Sequence, residues 1–195
     1  MKERKFFWIG GGILALLVLA IGAAFIIERI PPALHGSVIT PPGLAPDFTL
    51  TSQTEQPIKL SDYRGKYVLL FFGYSHCTEE CPASMADLAQ ALREIGNKAS
   101  DVQVLFVSTD PVGDTPQSMT EFLGRFNPTF IGILGTATQL QQVWSAYGVT
   151  VLDGGETHSS FTYVIDPKGY LLMTYPYPPN PDDVAADLKQ LFRKE

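Results

Sequence analysis

One unbroken stretch, Tyr67-Val68-Leu69-Leu70-Phe71-Phe72-Gly73-Tyr74, constrains the fold of this chain more than any other feature. It carries no charge and no polar–apolar alternation, so it has no face to turn to water. That pattern predicts a strand buried on both sides, as in a parallel sheet covered by helices. Val102 to Val107 repeats the pattern. Between the two runs, Pro82 suits a first helical turn, and Met85, Leu88, Ala89 and Leu92 make a helical stripe reaching about Ile95.

The remaining elements follow in order. Residues 47–51 and 57–60 read as a short opening hairpin. Residues 116–126 read as an amphipathic helix with Thr115 as N-cap, Phe130 to Leu134 as a strand, and 136–147 as a helix. Phe161 to Ile165 and Tyr170 to Thr174 read as strands joined by the turn Asp166-Pro167-Lys168-Gly169, and a last helix runs from about Asp182 to Phe192. This order predicts an α/β fold with a central, mainly parallel sheet and helices on both faces. A first helix beginning at a cysteine pair makes the expected fold thioredoxin-like, with inserted elements. Sites in such sheets form beyond the carboxyl ends of the strands, and Cys77 lies just past one.

Residues Phe6 to Ile27 contain no charged side chain. As a helix they reach about 33 Å, enough to span a hydrocarbon core of about 30 Å. Lys2, Arg4 and Lys5 precede this segment, so the positive-inside rule predicts one transmembrane helix with residues 28–195 outside the cytoplasm. An uncleaved anchor is favoured over a cleaved signal peptide, because apolar residues continue beyond Gly22-Ala23-Ala24 up to Glu28. No Arg- and Ser-rich transit peptide precedes the segment. The expected setting is a bacterial inner membrane, with the domain on the periplasmic side. Pro31, Pro32, Gly36, Pro41, Pro42 and Gly43 predict a semi-extended linker. The expected organisation is residues 1–28 as stub and anchor, 29–45 as linker, and 46–195 as the domain.

The formal charge is -6. Lys2, Arg4 and Lys5 against Glu3 leave +2 in residues 1–27, so the remainder carries -8. An acidic body excludes a nucleic-acid binder of the usual basic kind and suits a cationic partner, including a metal ion.

Cys77 and Cys81 are the only cysteines, too few for a disulfide scaffold. Their C-x-x-x-C spacing puts both sulfurs on one side of a helical turn, where they can clamp a soft cation. Backbone N–H groups and the helix dipole favour thiolates there. A third ligand must come from another loop at the same rim, and His158 is the best candidate, following the Gly-rich stretch Asp153-Gly154-Gly155-Glu156-Thr157. Two thiolates and an imidazole suit Cu(I), and also accept Cu(II) or Zn(II). Structural zinc normally takes four protein ligands, so three favour copper. The plainer readings stand beside this one. The cysteines could form a structural disulfide, and His158, like His35 and His76, could be a solvated loop histidine. Asp110, at the end of the second core strand, could tune the thiols, receive a partner, or simply close a turn. Glu79 and Glu80 read as solvated charges or as an electrostatic lure for a cation.

These segments together resemble the Sco/SenC family of copper proteins that assemble cytochrome c oxidase. The resemblance is carried by Gly65-Lys66, by Leu70-Phe71-Phe72-Gly73-Tyr74-Ser75-His76-Cys77, and by Cys81-Pro82. It continues in Val107-Ser108-Thr109-Asp110-Pro111, in Asp114-Thr115-Pro116, and in the run from His158 to Gly169. It implies that Cys77, Cys81 and His158 are copper ligands. It also implies copper delivery to, or thiol reduction at, the CuA site of cytochrome c oxidase subunit II. Other copper chaperones or thiol reductants would be further partners. Two departures stand out. The family pattern C-P-D-[IV]-C-P is here Cys77-Thr78-Glu79-Glu80-Cys81-Pro82, and Gly113 stands where the family often has Arg.

Three functions follow from these residues. The leading one is a metallochaperone, a binding protein without turnover. The second is a thiol–disulfide oxidoreductase, with Cys77 and Cys81 as the redox pair. That class typically has C-x-x-C and a proline in the facing loop, whereas His158-Ser159-Ser160 has none. The third is a peroxiredoxin-like peroxidase, suggested by Ala45-Pro46-Asp47-Phe48 and opposed by the lack of a threonine three residues before Cys77.

Overall fold

The apolar run forms strand β4 (Tyr67–Gly73), buried along its whole length. Its side chains divide between two cores. Leu69 and Phe71 enter one, and Val68, Leu70 and Phe72 enter the other, so the strand is the partition between two apolar layers. The second run forms β5 (Val102–Ser108), also buried throughout and parallel to β4. The computed structural model describes residues 33–152 and 157–193.

Helix α1 (Glu80–Ile95) returns from β4 to β5 and buries Cys81, Met85, Leu88, Ala89, Leu92 and Ile95. Helix α2 (Pro116–Gly124) starts where expected, with Thr115 Oγ1 accepting from the Ser118 N–H at 3.0 Å. Helix α3 (Ala137–Ala146) is capped by Thr136, and α4 (Pro181–Phe192) by Asn180. Side-chain oxygens thus satisfy N–H groups that a helix start leaves unpaired. Helices α1, α2 and α4 pack on the Phe71 face, and α3 on the Phe72 face.

The other strands are β1 (Ser37–Leu44), β2 (Thr49–Ser52), β3 (Pro57–Lys59), β6 (Ile131–Leu134), β7 (Val151–Leu152), β8 (Thr157–His158), β9 (Phe161–Ile165) and β10 (Tyr170–Pro176). The main sheet has the order β1-β10-β9-β4-β5-β6-β2-β3. Among the described residues, only β4–β5 and β5–β6 pair in parallel. The expected mainly parallel sheet is therefore corrected to a mixed one. Two hairpins cause this: β9–β10 adds antiparallel strands beside β4, and β2–β3 adds them beside β6. The β9–β10 turn closes at Gly169, whose φ of +91° suits a residue without Cβ.

A second correction concerns the expected linker over 29–45. From Ser37 to Leu44 it is strand β1, paired with β10 and part of the compact unit Leu34–Glu195. Prolines are tolerated there because β1 is an edge strand and need not donate to a ladder on both sides. The predicted membrane-spanning segment lies outside the described residues. Among the described residues, no helix is long and apolar enough to cross a membrane.

Candidate metal centre

Strand β4 ends at Gly73, and the chain turns through Tyr74-Ser75-His76 to deliver Cys77 before α1 begins at Glu80. Cys77 is half-buried, while Cys81 in the first turn of α1 is wholly buried; both are free thiols. The Cys81 backbone N–H donates to Cys77 Sγ at 3.4 Å. Gly73 makes room for the deeper sulfur. A Cβ on Gly73 would lie 2.7 Å from Cys81 Sγ and 2.9 Å from Phe106 and Phe71, closer than carbon atoms pack.

The loop holding Cys77 is fixed from behind by a carboxylate. Asp114 Oδ1 accepts the Ser75 N–H at 2.8 Å, and its other oxygen accepts the Ser108 hydroxyl. The Ser75 hydroxyl in turn donates to Ser118 Oγ at 2.9 Å. This buried network ties the ends of β4 and β5 to the start of α2. Asp110, the carboxylate singled out from sequence, closes its own turn: its Oδ1 accepts from the N–H groups of Val112 and Gly113. Gly113 permits that fold, since a Cβ there would collide with Asp110 Oδ2. Sequence reading placed Asp114 in the motif without a role.

His158 arrives from the short antiparallel pair β7–β8. Its ring lies edge-on to Phe71 and Tyr74, with centroids 6.3 and 6.1 Å away. Nδ1 stands 3.3 Å from the Ser159 carbonyl, which can only accept, so Nδ1 carries the proton. The Nε2 lone pair is left facing Cys81 Sγ at 3.9 Å. Of the other histidines, His76 is exposed, with Nδ1 3.2 Å from Ser75 Oγ. His35 is not simply solvated as expected: its Nδ1 lies 2.8 Å from the buried Asp187 carboxylate.

Electrostatics separate the two thiols. Burial pushes the Cys77 thiol up, but the N–H groups of Cys81 and Glu79, with the Cys81 and Tyr74 side chains, outweigh it and hold Cys77 below the ordinary value. Burial drives the Cys81 thiol far up, and the nearby Cys77 and Glu80 charges add to the effect. Burial also lowers His158, against the opposing pull of the Ser159 carbonyl and Glu80. The imidazole is therefore held in the neutral form that ligates metals.

The donor set fits a soft ion. Bond lengths of about 2.3 Å to thiolate and 2.0 Å to imidazole put sulfur and nitrogen roughly 3.5–3.7 Å apart between tetrahedral and trigonal angles. The observed 3.9 Å is close to that separation. Among the described residues, no three His, Cys, Asp or Glu side chains stand as a ready-made cage.

Fold and site together define a thioredoxin-like domain with a thiol pair and an imidazole at one rim. At the level of fold, the chain matches the thioredoxin domain of a thiol-disulfide oxidoreductase from Bacteroides vulgatus, with TM-score 0.60 and 18% identity over 82% of this chain and 99% of that one. The SCO1/SenC family model matches residues 38–193, and the chain belongs to that family. Mitochondrial protein SCO2 of Saccharomyces cerevisiae is 34% identical over 148 residues, covering 71% of this chain and 48% of that one. The chain thus spans about half the length of the first curated relatives it matches. The structure of Bradyrhizobium japonicum ScoI with copper bound matches with TM-score 0.69 and 32% identity, over 76% of this chain and 99% of that one.

Proposed function

We propose that this chain is a membrane-anchored copper chaperone that holds copper, as cargo, between Cys77, Cys81 and His158. It would stand on the periplasmic face of a bacterial inner membrane and deliver the ion to the CuA site of cytochrome c oxidase subunit II. The observation that carries this reading is the approach of Cys81 Sγ and His158 Nε2 to 3.9 Å from separate elements. A thiolate pair and a neutral imidazole are the donors a soft ion selects. Cys77 lies toward solvent, where a partner's thiolates can take the ion by ligand exchange. The copper-bound relative from Bradyrhizobium japonicum supports copper as the cargo.

The asymmetry of the thiols favours one second reading, reduction of the partner's cysteines. Cys77 as thiolate attacks a partner disulfide, forming a mixed disulfide and releasing one partner thiol. Cys81 then displaces the second, leaving a Cys77–Cys81 disulfide and a reduced partner, with two electrons transferred. The lowered, more open Cys77 suits the attacking thiol and the raised, buried Cys81 the resolving one.

Incubation of the copper-loaded chain with the reduced, copper-free soluble domain of subunit II separates the readings. Delivery predicts the appearance of CuA absorption with stoichiometric loss of copper from the chain. No transfer, together with thiol recovery in an oxidised subunit II domain, would replace delivery by reduction.

A further inference from the structure

Glu80 is the first residue of α1 and directly precedes the buried Cys81. Its Oε2 accepts a hydrogen bond from the hydroxyl of Ser160, two residues past His158 and 80 positions away in the chain. Helix start and histidine segment are otherwise separate elements. We infer that the Glu80–Ser160 bond is a latch across the metal rim, a positioning contact that keeps the His158 segment against the Cys81 turn. The inference rests on the copper-binding reading for its consequence, but not for its existence.

The histidine side of the latch is firmly built. The Ser159 N–H donates to the Thr150 carbonyl at 3.0 Å, and Ser159 Oγ accepts the Thr150 N–H at 3.2 Å. The Ser160 carbonyl accepts the Tyr177 N–H at 3.1 Å. Ser159 and Ser160 are therefore fixed to Thr150, the residue that leads into β7, and to Tyr177, just past the end of β10. On the other side, Glu80 belongs to the turn that carries Cys81 and whose N–H groups hold Cys77. The carboxylate also sits at a helix N-terminus, where the dipole favours negative charge. A bond between these two bodies restrains the vector from Cys81 Sγ to His158 Nε2. In the family pattern this position is Ile or Val, which could make no such bond.

The expected scale is that of one charge-assisted hydrogen bond at an exposed position, about fivefold in an equilibrium. The test uses the full chain and four variants: Glu80→Ala, Ser160→Ala, the two combined, and Glu80→Gln, the last retaining an acceptor without the charge. In the metal-free protein, amide exchange over residues 158–161 should speed up about fivefold in Glu80→Ala and Ser160→Ala. Exchange in β4 and β5 should not change, and Glu80→Gln, with a neutral acceptor, should fall between wild type and Glu80→Ala. In the copper-loaded protein, release to a chelator should accelerate about fivefold in either alanine variant. The double variant should release no faster than each single one, because one bond has been removed in all three. Unchanged exchange at 158–161, or effects on release that multiply in the double variant, would overturn the latch. Loss of function in Glu80→Gln equal to that in Glu80→Ala would assign the effect to charge instead. If the wild-type chain binds no copper, the copper-binding reading fails, while the exchange experiment still decides the latch.

Discussion

Cys81 Sγ and His158 Nε2 lie 3.9 Å apart across 77 positions of sequence, one on the first turn of α1 and the other on β8. The approach exists because Gly73, at the end of β4, leaves the deep sulfur a place, and because Phe71 and Tyr74 hold the imidazole edge-on above it.

Gly73→Ala tests the first cause. The added methyl meets Cys81 Sγ and two phenyl rings, so the sulfur or the strand must move. Overpacking of this kind costs about 1–3 kcal/mol. Denaturant unfolding should show that loss, and copper binding should weaken at the same time. A variant of wild-type stability and affinity would mean that the sulfur has room the structure does not show.

Thiol reactivity should be ordered. Cys77 is half-buried and held below its ordinary pKa, whereas Cys81 is buried and raised. Iodoacetamide at neutral pH should label Cys77 first, and mass mapping of partly labelled protein reads the order. Equal labelling would contradict the asymmetry on which the reductase reading depends.

Asp114→Ala should destabilise the protein by about 1–3 kcal/mol, because it leaves the buried Ser75 N–H and Ser108 hydroxyl without their acceptor. Asp110→Ala breaks only a local, partly exposed turn and should cost less, about 1 kcal/mol. Chemical denaturation of the two variants checks the ranking.

Stability should pass through a broad maximum set partly by Asp187 and His35. Asp187 accepts from Tyr175 Oη at 2.7 Å and from the N–H groups of His35 and Gly36, which hold its carboxyl below 3.8 against the upward push of burial. That contribution is present above the ordinary carboxyl value and is lost as pH falls through the lowered one. The Asp187 hydrogen bond raises His35 above 6.5, with the charge of Asp183 adding to it. That contribution is complete below 6.5 and fades as pH rises through the raised value. Melting temperature against pH should therefore fall on the acid side below about 4 and on the alkaline side above about 6.5. In Asp187→Asn, both limbs should flatten.

The strands β4 and β5 and the four helices were legible from sequence, because their patterns are local. Tyr67 to Gly73 has no polar face, and Thr115 announces its helix. The sheet's mixed character was not legible. Nothing in Phe161–Ile165 states which neighbour it will choose, and its antiparallel pairing with β4 is a long-range outcome. Ser37–Leu44 was read as linker because its prolines suggest extended chain, and an edge strand tolerates the same prolines. In the site, the cysteine spacing marked itself and His158 followed from the need for a third ligand. Asp110 stood out because it ends a core strand, yet its carboxylate closes its own turn, and it is Asp114, reached only through tertiary folding, that holds the cysteine loop.

The most direct test is anaerobic copper titration of the reduced full chain, followed by absorption in the sulfur-to-copper charge-transfer region. One Cu(II) per chain, with intense thiolate bands, is the expected result. Cys77→Ser or Cys81→Ser should abolish the bands, and His158→Ala should weaken affinity at least about 100-fold, more than loss of an outer partner of a ligand costs. Copper held with unchanged spectrum and affinity by His158→Ala would contradict the site described here.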